Sequence, residues 1–295
     1  MNIVTLARWI ALHPLNRRTS LGSAKALGRF VRWQLASRLI PARTALPFVD
    51  STCLLVERSM TGASGNWYCG LHEPSEMGFV LHALRPEDLF VDIGANIGSY
   101  TILSAGAVGA KAISIEPIPQ TFSRLKSNVA LNDLTESVKL LNLGISHQSG
   151  VLNFTRSFDT LNRVALPDEQ LDCIEVSVRT LDDVMQGYTA HLIKIDVEGH
   201  ERAVLRGAIE TLKKPDLKAV IMETNSSGKK YGVDDSELIE EMRRYGFFPY
   251  TYDPLERKLA VTPEGASNSI FVRDPAAIAE LCRSARSFTL LNGPI

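Results

Sequence analysis

The chain has 295 residues, 45% of them hydrophobic and 22% charged, which is typical of a globular protein with one large domain and an extension. Its formal net charge of −1 excludes a protein that binds nucleic acid through a strongly basic body. No apolar run reaches the ~18–20 residues that cross a bilayer, and Arg8 interrupts the first apolar stretch, which is atypical of a secretory signal. The four cysteines fit no zinc or CxxC spacing, so we expect free thiols and an intracellular, cytoplasmic protein.

The first 49 residues differ in charge from the rest of the chain. They hold eight Arg or Lys and no Asp or Glu, which leaves a net charge of −9 on the remainder. Hydrophobic periodicity predicts one helix over Ile3–His13 and a second that begins near Thr19 or Ser20 and ends at Pro41. The apolar residues at helical spacing along the second helix are Leu27, Phe30, Val31, Leu35 and Leu39. We therefore expect residues 1–47 to form a basic, amphipathic helical extension.

Two kinds of contact are open for residues 1–45. Their positive charge, together with Trp9, Phe30 and Trp33, suits peripheral contact with an anionic membrane surface near lipid-linked glycans. Alternatively, the apolar faces pack on the core or on a second subunit while the arginine head groups stay in water.

The next segment, residues 48–88, precedes the main domain. Residues 47–70 predict short strands and turns separated by Gly62, Gly65 and Gly70, and Glu76–Leu84 predicts a short helix. We expect this segment to lead into the main domain and to cover its pocket.

From Leu89 onward, apolar strands alternate with helices. The expected strands are Leu89–Ile93, Ala112–Glu116, Val138–Leu143, Val151–Thr155, Ile174–Val178, Leu192–Asp196 and Lys218–Glu223, followed by closing strands within 247–273. The expected helices are Ser99–Val108, Pro119–Leu131, Glu201–Lys213 and Ser236–Tyr245. This alternation predicts an α/β fold with a Rossmann-like, doubly wound, mostly parallel sheet over residues 89–275, followed by a C-terminal tail over residues 276–295.

The first strand of this domain runs into the turn Asp92-Ile93-Gly94-Ala95-Asn96-Ile97-Gly98. In an open α/β sheet, such a turn lies at the edge where ligands bind. Gly94 lets the chain turn and approach a ligand closely, and Gly98 lets the next helix pack on the strand. A pyrophosphate would disfavour the Asp92 carboxylate, whereas a ligand with a sulfonium or ammonium charge, such as S-adenosyl-L-methionine, would favour it. The structural alternative is a turn in which Asn96 caps the helix.

The next two strand ends extend this site. Glu116-Pro117 ends the second strand 24 residues after Asp92, where an acidic residue can accept hydrogen bonds from both ribose hydroxyls. Asn142-Leu143-Gly144 ends the third strand, where the edge of an adenine would fall.

The fourth strand ends in a run of ionisable residues, Asp196, Glu198, His200 and Glu201. Imidazole ordinarily titrates near neutral pH, so His200 is a candidate general base, with capping of the next helix as the structural alternative. Acidic residues at a helix start are also favoured by the helix dipole. Glu223 ends the fifth strand and faces the same edge, where it would shape a substrate pocket.

In combination, these motifs resemble the FkbM-type methyltransferases. The matching segments are Asp92–Thr101, Glu116-Pro117, Thr180–Asp183, Ile195–Gly199, Glu201 and Val204–Ala208, within about Phe79–Phe271, and Tyr68–Glu73 is similar to a subgroup feature. The resemblance implies a class I methyltransferase that uses S-adenosyl-L-methionine and methylates a hydroxyl of a sugar, glycan or natural product. The residues expected to bind the cofactor are Asp92, Gly94, Ala95, Asn96, Gly98, Tyr100, Thr101, Glu116, Pro117, Leu143, Gly144 and Asp196.

A sulfonium methyl group is already activated, so the protein must align an acceptor oxygen and supply a base. Asp196, Glu198 and His200 are the expected catalytic residues, and a divalent cation held by the carboxylates is left open, with no metal ligands assigned. Two alternatives remain. One is a nicotinamide-dependent oxidoreductase, which Asp92 disfavours, and the other is a non-catalytic binding protein on the same fold.

Overall fold

The computed structural model describes residues 2–39, 42–58, 60–156, 162–166, 169, 171–262 and 268–295. Its strands, in chain order, are β1 (Thr44–Pro47), β2 (Cys53–Val56), β3 (Leu89–Ile93), β4 (Lys111–Ile115), β5 (Val138–Leu141), β6 (Gly144–Ile145), β7 (Gly150–Thr155), β8 (Cys173–Arg179), β9 (Leu192–Ile195), β10 (Ala219–Glu223), β11 (Phe248–Asp253), β12 (Lys258–Val261), β13 (Asn268–Val272), β14 (Thr289–Leu290) and β15 (Gly293–Pro294).

The helices are α1 (Ile3–Leu12), α2 (Gly22–Leu39), α3 (Thr61–Cys69), α4 (Pro74–Ala83), α5 (Ser99–Thr101), α6 (Pro119–Leu131), α7 (Leu181–Val184), α8 (Glu201–Arg206), α9 (Ile209–Lys213), α10 (Asp235–Arg244) and α11 (Pro275–Ser284). Pro14–Arg18 and Ser227–Tyr231 form 3₁₀ turns, and a π-helical stretch, Ile102–Val108, continues α5. None of the described helices combines the length and the apolar character that a membrane-spanning segment needs.

The predicted doubly wound α/β sheet is confirmed. Eight strands lie in the order β12-β11-β13-β10-β9-β3-β4-β5, and the five from β10 to β5 are parallel neighbours. From β3 the chain moves outward through β4 and β5, then returns to the other side of β3 with β9 and β10. The reversal between β3 and β9 is the position where open α/β sheets form a ligand crevice.

Alternating residues of the buried strands face two apolar layers. Phe90 packs in the layer that includes the N-terminal helices, α4 and α11, whereas Val91 and Ile93 pack in the layer formed by α7 to α10. This alternation follows from the twofold period of a β-strand, and it orients Asp92 toward the same face as Phe90.

The expectation of strands and turns over residues 47–70 is correct for β1 and β2 but wrong for residues 61–69, which form α3. One of the glycines taken as turn signals instead permits close packing: a Cβ atom on Gly65 would lie 2.2 Å from His72 Nδ1. Helix α3 lies beside the sheet crevice, and the glycine signal alone does not distinguish a turn from a tightly packed helix.

The expected helix over Glu201–Lys213 is two helices, α8 and α9. A Cβ atom at Gly207, in the break, would lie 2.1 Å from the backbone oxygen of Ser146, so the chain passes close to the β6 segment there. Residues 150–179, for which we predicted two strands, contribute β7 and β8, which form a small three-stranded sheet with β6. Within the closing segment 247–273, residues 263–267 lie outside the described residues.

The two predicted N-terminal helices are present as α1 and α2, and the expected end at Pro41 lies outside the described residues. The apolar stripe predicted on α2 lies only partly on its buried face: Phe30 is buried and Leu27 packs against the core. Its buried residues are Ala26, Phe30, Trp33 and Ser37, whereas Val31, Leu35 and Leu39 are exposed. At the other end of the chain, α11 and the β14–β15 hairpin contribute Cys282, Phe288 and Leu290 to the same apolar layer.

Candidate active site

A cavity of about 300 Å³ opens at the carboxyl ends of β3, β4, β9 and β10. Its floor is the sheet edge, and α3 with the start of α4 forms one wall. The residues that line it are Met60, Gly62, Ala63, Asn66, His72, Glu73, Met77, Asp92, Gly94, Ala95, Asn96, Ile97, Ser99, Tyr100, Glu116, Pro117, Thr121, Phe154, Asn162, Lys194, Asp196, Val197, Glu198 and Glu223. Eight of the twelve residues expected to bind the cofactor are among them: Asp92, Gly94, Ala95, Asn96, Tyr100, Glu116, Pro117 and Asp196.

The turn after β3 is shaped by the neighbouring strand. Gly94 has a φ of +78°, and a Cβ atom there would lie 1.9 Å from the backbone oxygen of Asp196. No other residue fits this position, because both the backbone angle and the close approach exclude a side chain. The same turn places Asn96 at a φ of +51°, and its N–H donates to Glu116 Oε2 over 2.9 Å.

Asp92 is fully buried beneath this turn. Its Oδ2 accepts a hydrogen bond of 2.7 Å from the Thr101 hydroxyl, which lies 2.7 Å from the Ser114 hydroxyl. Asp92 Oδ1 is buried without a hydrogen-bond partner among the described residues. Burial raises the pKa of Asp92, while Lys194 and the Thr101 hydroxyl lower it. Thr101 therefore orients Asp92 rather than lining the cavity.

Glu116 lines the cavity beside the Gly94 turn, at the end of the neighbouring strand β4. Its two carboxylate oxygens accept backbone hydrogen bonds of 2.9 Å from Ile118 and Asn96. Burial raises the pKa of Glu116 to about 7, although the two backbone donors lower it. Each oxygen keeps a further lone pair for another donor. Asn142 supports this wall, because its amide donates to the backbone oxygens of Glu116 and Pro117.

Three carboxylates converge where β9 and β10 end. Asp196, Glu198 and Glu223 each present an oxygen within 4.8 Å of the others. Glu198 has a φ of +54°, an uncommon angle for a residue with a side chain. Burial and the Asp196 charge raise the pKa of Glu198 to about 7, and burial with the charges of Asp196 and Glu198 raises the pKa of Glu223. Like charges this close favour a bound proton or cation.

Lys194 is one residue of the cavity to which the sequence analysis assigned no role. Its Nζ donates a 2.6 Å hydrogen bond to Asp196 Oδ2 and lies 4.7 Å from the centre of the Tyr100 ring. Burial lowers the pKa of Lys194, but Asp196, Glu73 and Asp92 raise it more, so the ammonium remains charged. A signal was present, because Lys194 interrupts an apolar strand two residues before Asp196 and must share its face.

A second missed group comes from the segment before α4. Tyr100 donates a 2.6 Å hydrogen bond to Glu73 Oε2, and His72 lines the cavity with Nδ1 unpartnered among the described residues. His72 and Glu73 both belong to the Tyr68–Glu73 segment singled out in the sequence. The sequence predicted that residues 48–88 cover the pocket, but it assigned no role to these two side chains.

His200 lies behind the main cavity. Its Nε2 is 3.1 Å from the Ser146 hydroxyl, and its ring lies 6.1 Å from that of Tyr231. It lines an adjoining cavity of about 20 Å³, as do Leu143 and Gly144. Burial lowers the pKa of His200 to about 4, so its imidazole is neutral at pH 7. Gly98 packs against Leu125 and does not line the main cavity.

Comparison with known proteins agrees with this arrangement. Residues 92–249 match the model of the methyltransferase FkbM domain. Methyltransferase sdnD of Sordaria araneosa is 31% identical, over 43% of this chain and 62% of its own. Hexuronic acid methyltransferase AglP of Haloferax volcanii is 27% identical, over 56% of this chain and 66% of its own. The 31-O-demethyl-FK506 methyltransferase FkbM of Streptomyces tacrolimicus is 29% identical, over 56% of this chain and 74% of its own.

The aligned region thus spans less than two thirds of the length of the first two relatives. The family match begins at Asp92 and ends within β11, so it includes the carboxyl ends of all four strands that border the cavity.

Proposed function

The chain belongs to the FkbM methyltransferase family, and from this premise we propose that it transfers the methyl group of S-adenosyl-L-methionine to a hydroxyl group of a sugar, glycan or natural product. The observation that carries the proposal is the convergence of Asp92, Glu116 and Asp196 on one cavity beside the Gly94 turn. The names of AglP, a hexuronic acid methyltransferase, and of FkbM, a 31-O-demethyl-FK506 methyltransferase, support an oxygen acceptor in a sugar or natural product.

The donor groups of the cavity fit this cofactor. Asp92 Oδ1 is buried without a partner among the described residues, and Asp196 lies nearby, so a ligand with positive charge would be stabilised there. Glu116, at the end of the neighbouring strand, would accept hydrogen bonds from the ribose hydroxyls. When bound, S-adenosyl-L-methionine supplies an electrophilic methyl group. The contribution of the chain is to hold the acceptor oxygen in line with that methyl group and to exclude water.

A hydroxyl acceptor must lose its proton as the new bond to carbon forms. We propose that Asp196, Glu198 or His200 accepts it. Asp196 and Glu198 line the main cavity, whereas His200 lies behind it, so the carboxylates are better placed for direct transfer. Burial raises the pKa of Glu198 to about 7, which is suited to accepting and releasing a proton near neutral pH.

A divalent cation is the second component that we propose for this site. Three carboxylates within 4.8 Å form an oxygen donor set of the kind that Mg²⁺ or Mn²⁺ prefers. Such a cation would remove the repulsion among Asp196, Glu198 and Glu223 and would polarise an acceptor hydroxyl.

We also propose that residues 1–45 form a contact surface outside the catalytic domain. The sequence leaves a membrane and a second copy of the chain as partners.

Calorimetric titration with S-adenosyl-L-methionine and with NAD tests the cofactor, and we expect binding of the first alone. Transfer of labelled methyl groups to fractionated glycans, lipids and metabolites then tests the reaction. Binding without transfer to any fraction would favour a non-catalytic binding protein, and binding of NAD alone would favour an oxidoreductase.

A further inference from the structure

Helix α2 has an apolar face that points away from the protein. Val31, Leu35 and Leu39 are four residues apart and so share one side of the helix. Their side chains are 53%, 60% and 81% exposed. The opposite side of α2 carries the buried residues Phe30 and Trp33. The exposed stripe is therefore a second apolar face, in addition to the face that holds α2 on the core.

This exposure is concentrated in one region. Of the fourteen large apolar side chains that are exposed in the described part of the chain, seven lie within its first 39 residues. Scattered exposed apolar residues need no explanation, but the continuous stripe of Val31, Leu35 and Leu39 is typical of an interaction surface. Helix α1 contributes Val4 and Leu12, which are also exposed.

The charges around the stripe have one sign. Arg32 and Arg38 stand three residues before and after Leu35, which places one on each flank of the stripe. Both are exposed, as are Arg8, Lys25 and the Arg17-Arg18 pair in the same region. Residues 1–49 contain no acidic residue, so nothing within this segment neutralises these charges. An apolar stripe between cationic flanks is the pattern of a helix that lies in a membrane interface.

The two remaining basic residues of the segment are already engaged. The Arg29 guanidinium donates to the backbone oxygens of Trp67 and Tyr68, at the end of α3, and Arg43 pairs with Glu57. Phe30 packs edge-on against Tyr68 at a ring distance of 5.4 Å. Since α3 forms a wall of the cavity, the inner face of α2 is joined directly to that wall.

We propose that the outer face of α2, with the surrounding cations, binds an anionic lipid bilayer and so places the α3 wall of the cavity near the membrane surface. A second copy of the chain is a poorer partner for this face, because two such segments would each bring eight positive charges together. Nucleic acid would satisfy the cations but not the apolar stripe. This inference is independent of the reaction proposed above.

The test uses the full chain and vesicles of phosphatidylcholine with 30% phosphatidylserine, compared with vesicles of phosphatidylcholine alone, in co-sedimentation at low and at 0.5 M salt. We expect binding to the anionic vesicles only, with loss at high salt. Leu35→Asp should weaken binding about tenfold or more, as expected when one leucine is withdrawn from an apolar environment. Arg32→Gln should weaken it about fivefold, the factor for one basic residue at an anionic surface.

Two control variants separate these effects from general ones. Val261→Asp adds the same charge at an apolar side chain that is 78% exposed on β12, and Arg283→Gln removes an exposed arginine from α11. Both should bind vesicles as the unchanged protein does, and the melting temperature of every variant should be unaltered. The proposal is overturned if the full chain does not bind anionic vesicles. It is equally overturned if Leu35→Asp only dissociates a dimer in ultracentrifugation, or if RNA binds and Leu35→Asp leaves that binding intact.

Discussion

The Nζ atom of Lys194 lies 2.6 Å from Oδ2 of Asp196, and the lysine side chain is buried within the cavity wall. This ammonium faces the carboxylates of Asp92 and Glu73 as well. We predict that Lys194→Met weakens binding of S-adenosyl-L-methionine at least tenfold, because Asp196 would lose the hydrogen bond that holds its carboxylate in the cavity. Lys194 is buried whereas Asp196 is about a third exposed, so the melting temperature should also fall, but by less than the loss of a fully buried pair would cause.

Lys218 provides the matched control. Its Nζ pairs with buried Asp88 over 2.9 Å, but at the amino end of the sheet, away from the cavity. Lys218→Met should lower the melting temperature and leave the affinity for the cofactor unchanged. If Lys194→Met binds the cofactor as tightly as Lys218→Met does, the ion pair has no part in the site.

The parts of this site that could be predicted from sequence are those encoded locally. Asp92, Gly94 and Glu116 follow apolar strands, and parallel strands end at the same sheet edge, so their meeting at one cavity follows from the strand pattern alone. Their roles in binding stay predictions. Lys194 was missed because a lysine in a strand usually reaches solvent, and only the surrounding acidic groups make its burial favourable.

The wall formed by α3 could not be predicted in the same way. Gly62 and Gly65 favour a turn by local propensity, whereas in the folded chain both lie in a helix, and Gly65 packs closely against His72. The outward orientation of Val31 and Leu35 also depends on tertiary packing. The periodicity predicted a single apolar stripe along this helix but did not show which of its residues meet the core.

Affinity for S-adenosyl-L-methionine should depend on pH through Glu116. Burial raises the pKa of Glu116 to about 7 in the free protein. Donors such as ribose hydroxyls bind the ionised form, so affinity should rise as pH rises through this value and should level off above it. A group with this pKa is roughly tenfold less ionised at pH 6 than at pH 8, and we expect a similar ratio of dissociation constants. Glu116→Gln should weaken binding and remove this pH dependence, as measured by calorimetry at both pH values.

Methyl transfer should require a divalent cation. Chelation with EDTA is expected to reduce turnover, and Mg²⁺ or Mn²⁺ to restore it, because the cation offsets the repulsion among Asp196, Glu198 and Glu223. Burial and neighbouring charges raise the pKa values of Glu198 and Glu223, so binding of the cation should release protons and strengthen as pH rises. Glu223→Gln should lose the stimulation by the cation. Glu210→Gln, on the exposed surface of α9, should keep it. Full turnover in the presence of EDTA would show that the reaction does not require a divalent cation.

Gly94 should tolerate no substitution. In Gly94→Ala the new methyl group would lie 1.9 Å from the Asp196 backbone oxygen, at a φ of +78° that alanine disfavours. We expect the free energy of unfolding to fall by about 3 kcal/mol or more. Gly28→Ala is the opposite case, because it lies within α2 with open space around it, and it should stabilise the protein by ~0.4–1 kcal/mol. Urea unfolding of both variants measures the difference in the free energy of unfolding. Equal stabilities would contradict the requirement for glycine where residue 94 approaches the Asp196 backbone.

The last prediction concerns the residue that accepts the proton. Asp196 and Glu198 line the main cavity, whereas His200 lies behind it. The His200 Nε2 atom lies 3.1 Å from the Ser146 hydroxyl. With its pKa lowered to about 4 by burial, His200 is a weak base at neutral pH. If a carboxylate is the base, Asp196→Asn and Glu198→Gln should each reduce turnover by about 100-fold or more even at saturating Mg²⁺, which separates loss of the base from weaker binding of the cation. His200→Asn should then reduce it only slightly, since an amide can also hydrogen bond to Ser146. A loss of turnover in His200→Asn as large as in Glu198→Gln, with cofactor affinity unchanged, would instead assign the proton transfer to the imidazole.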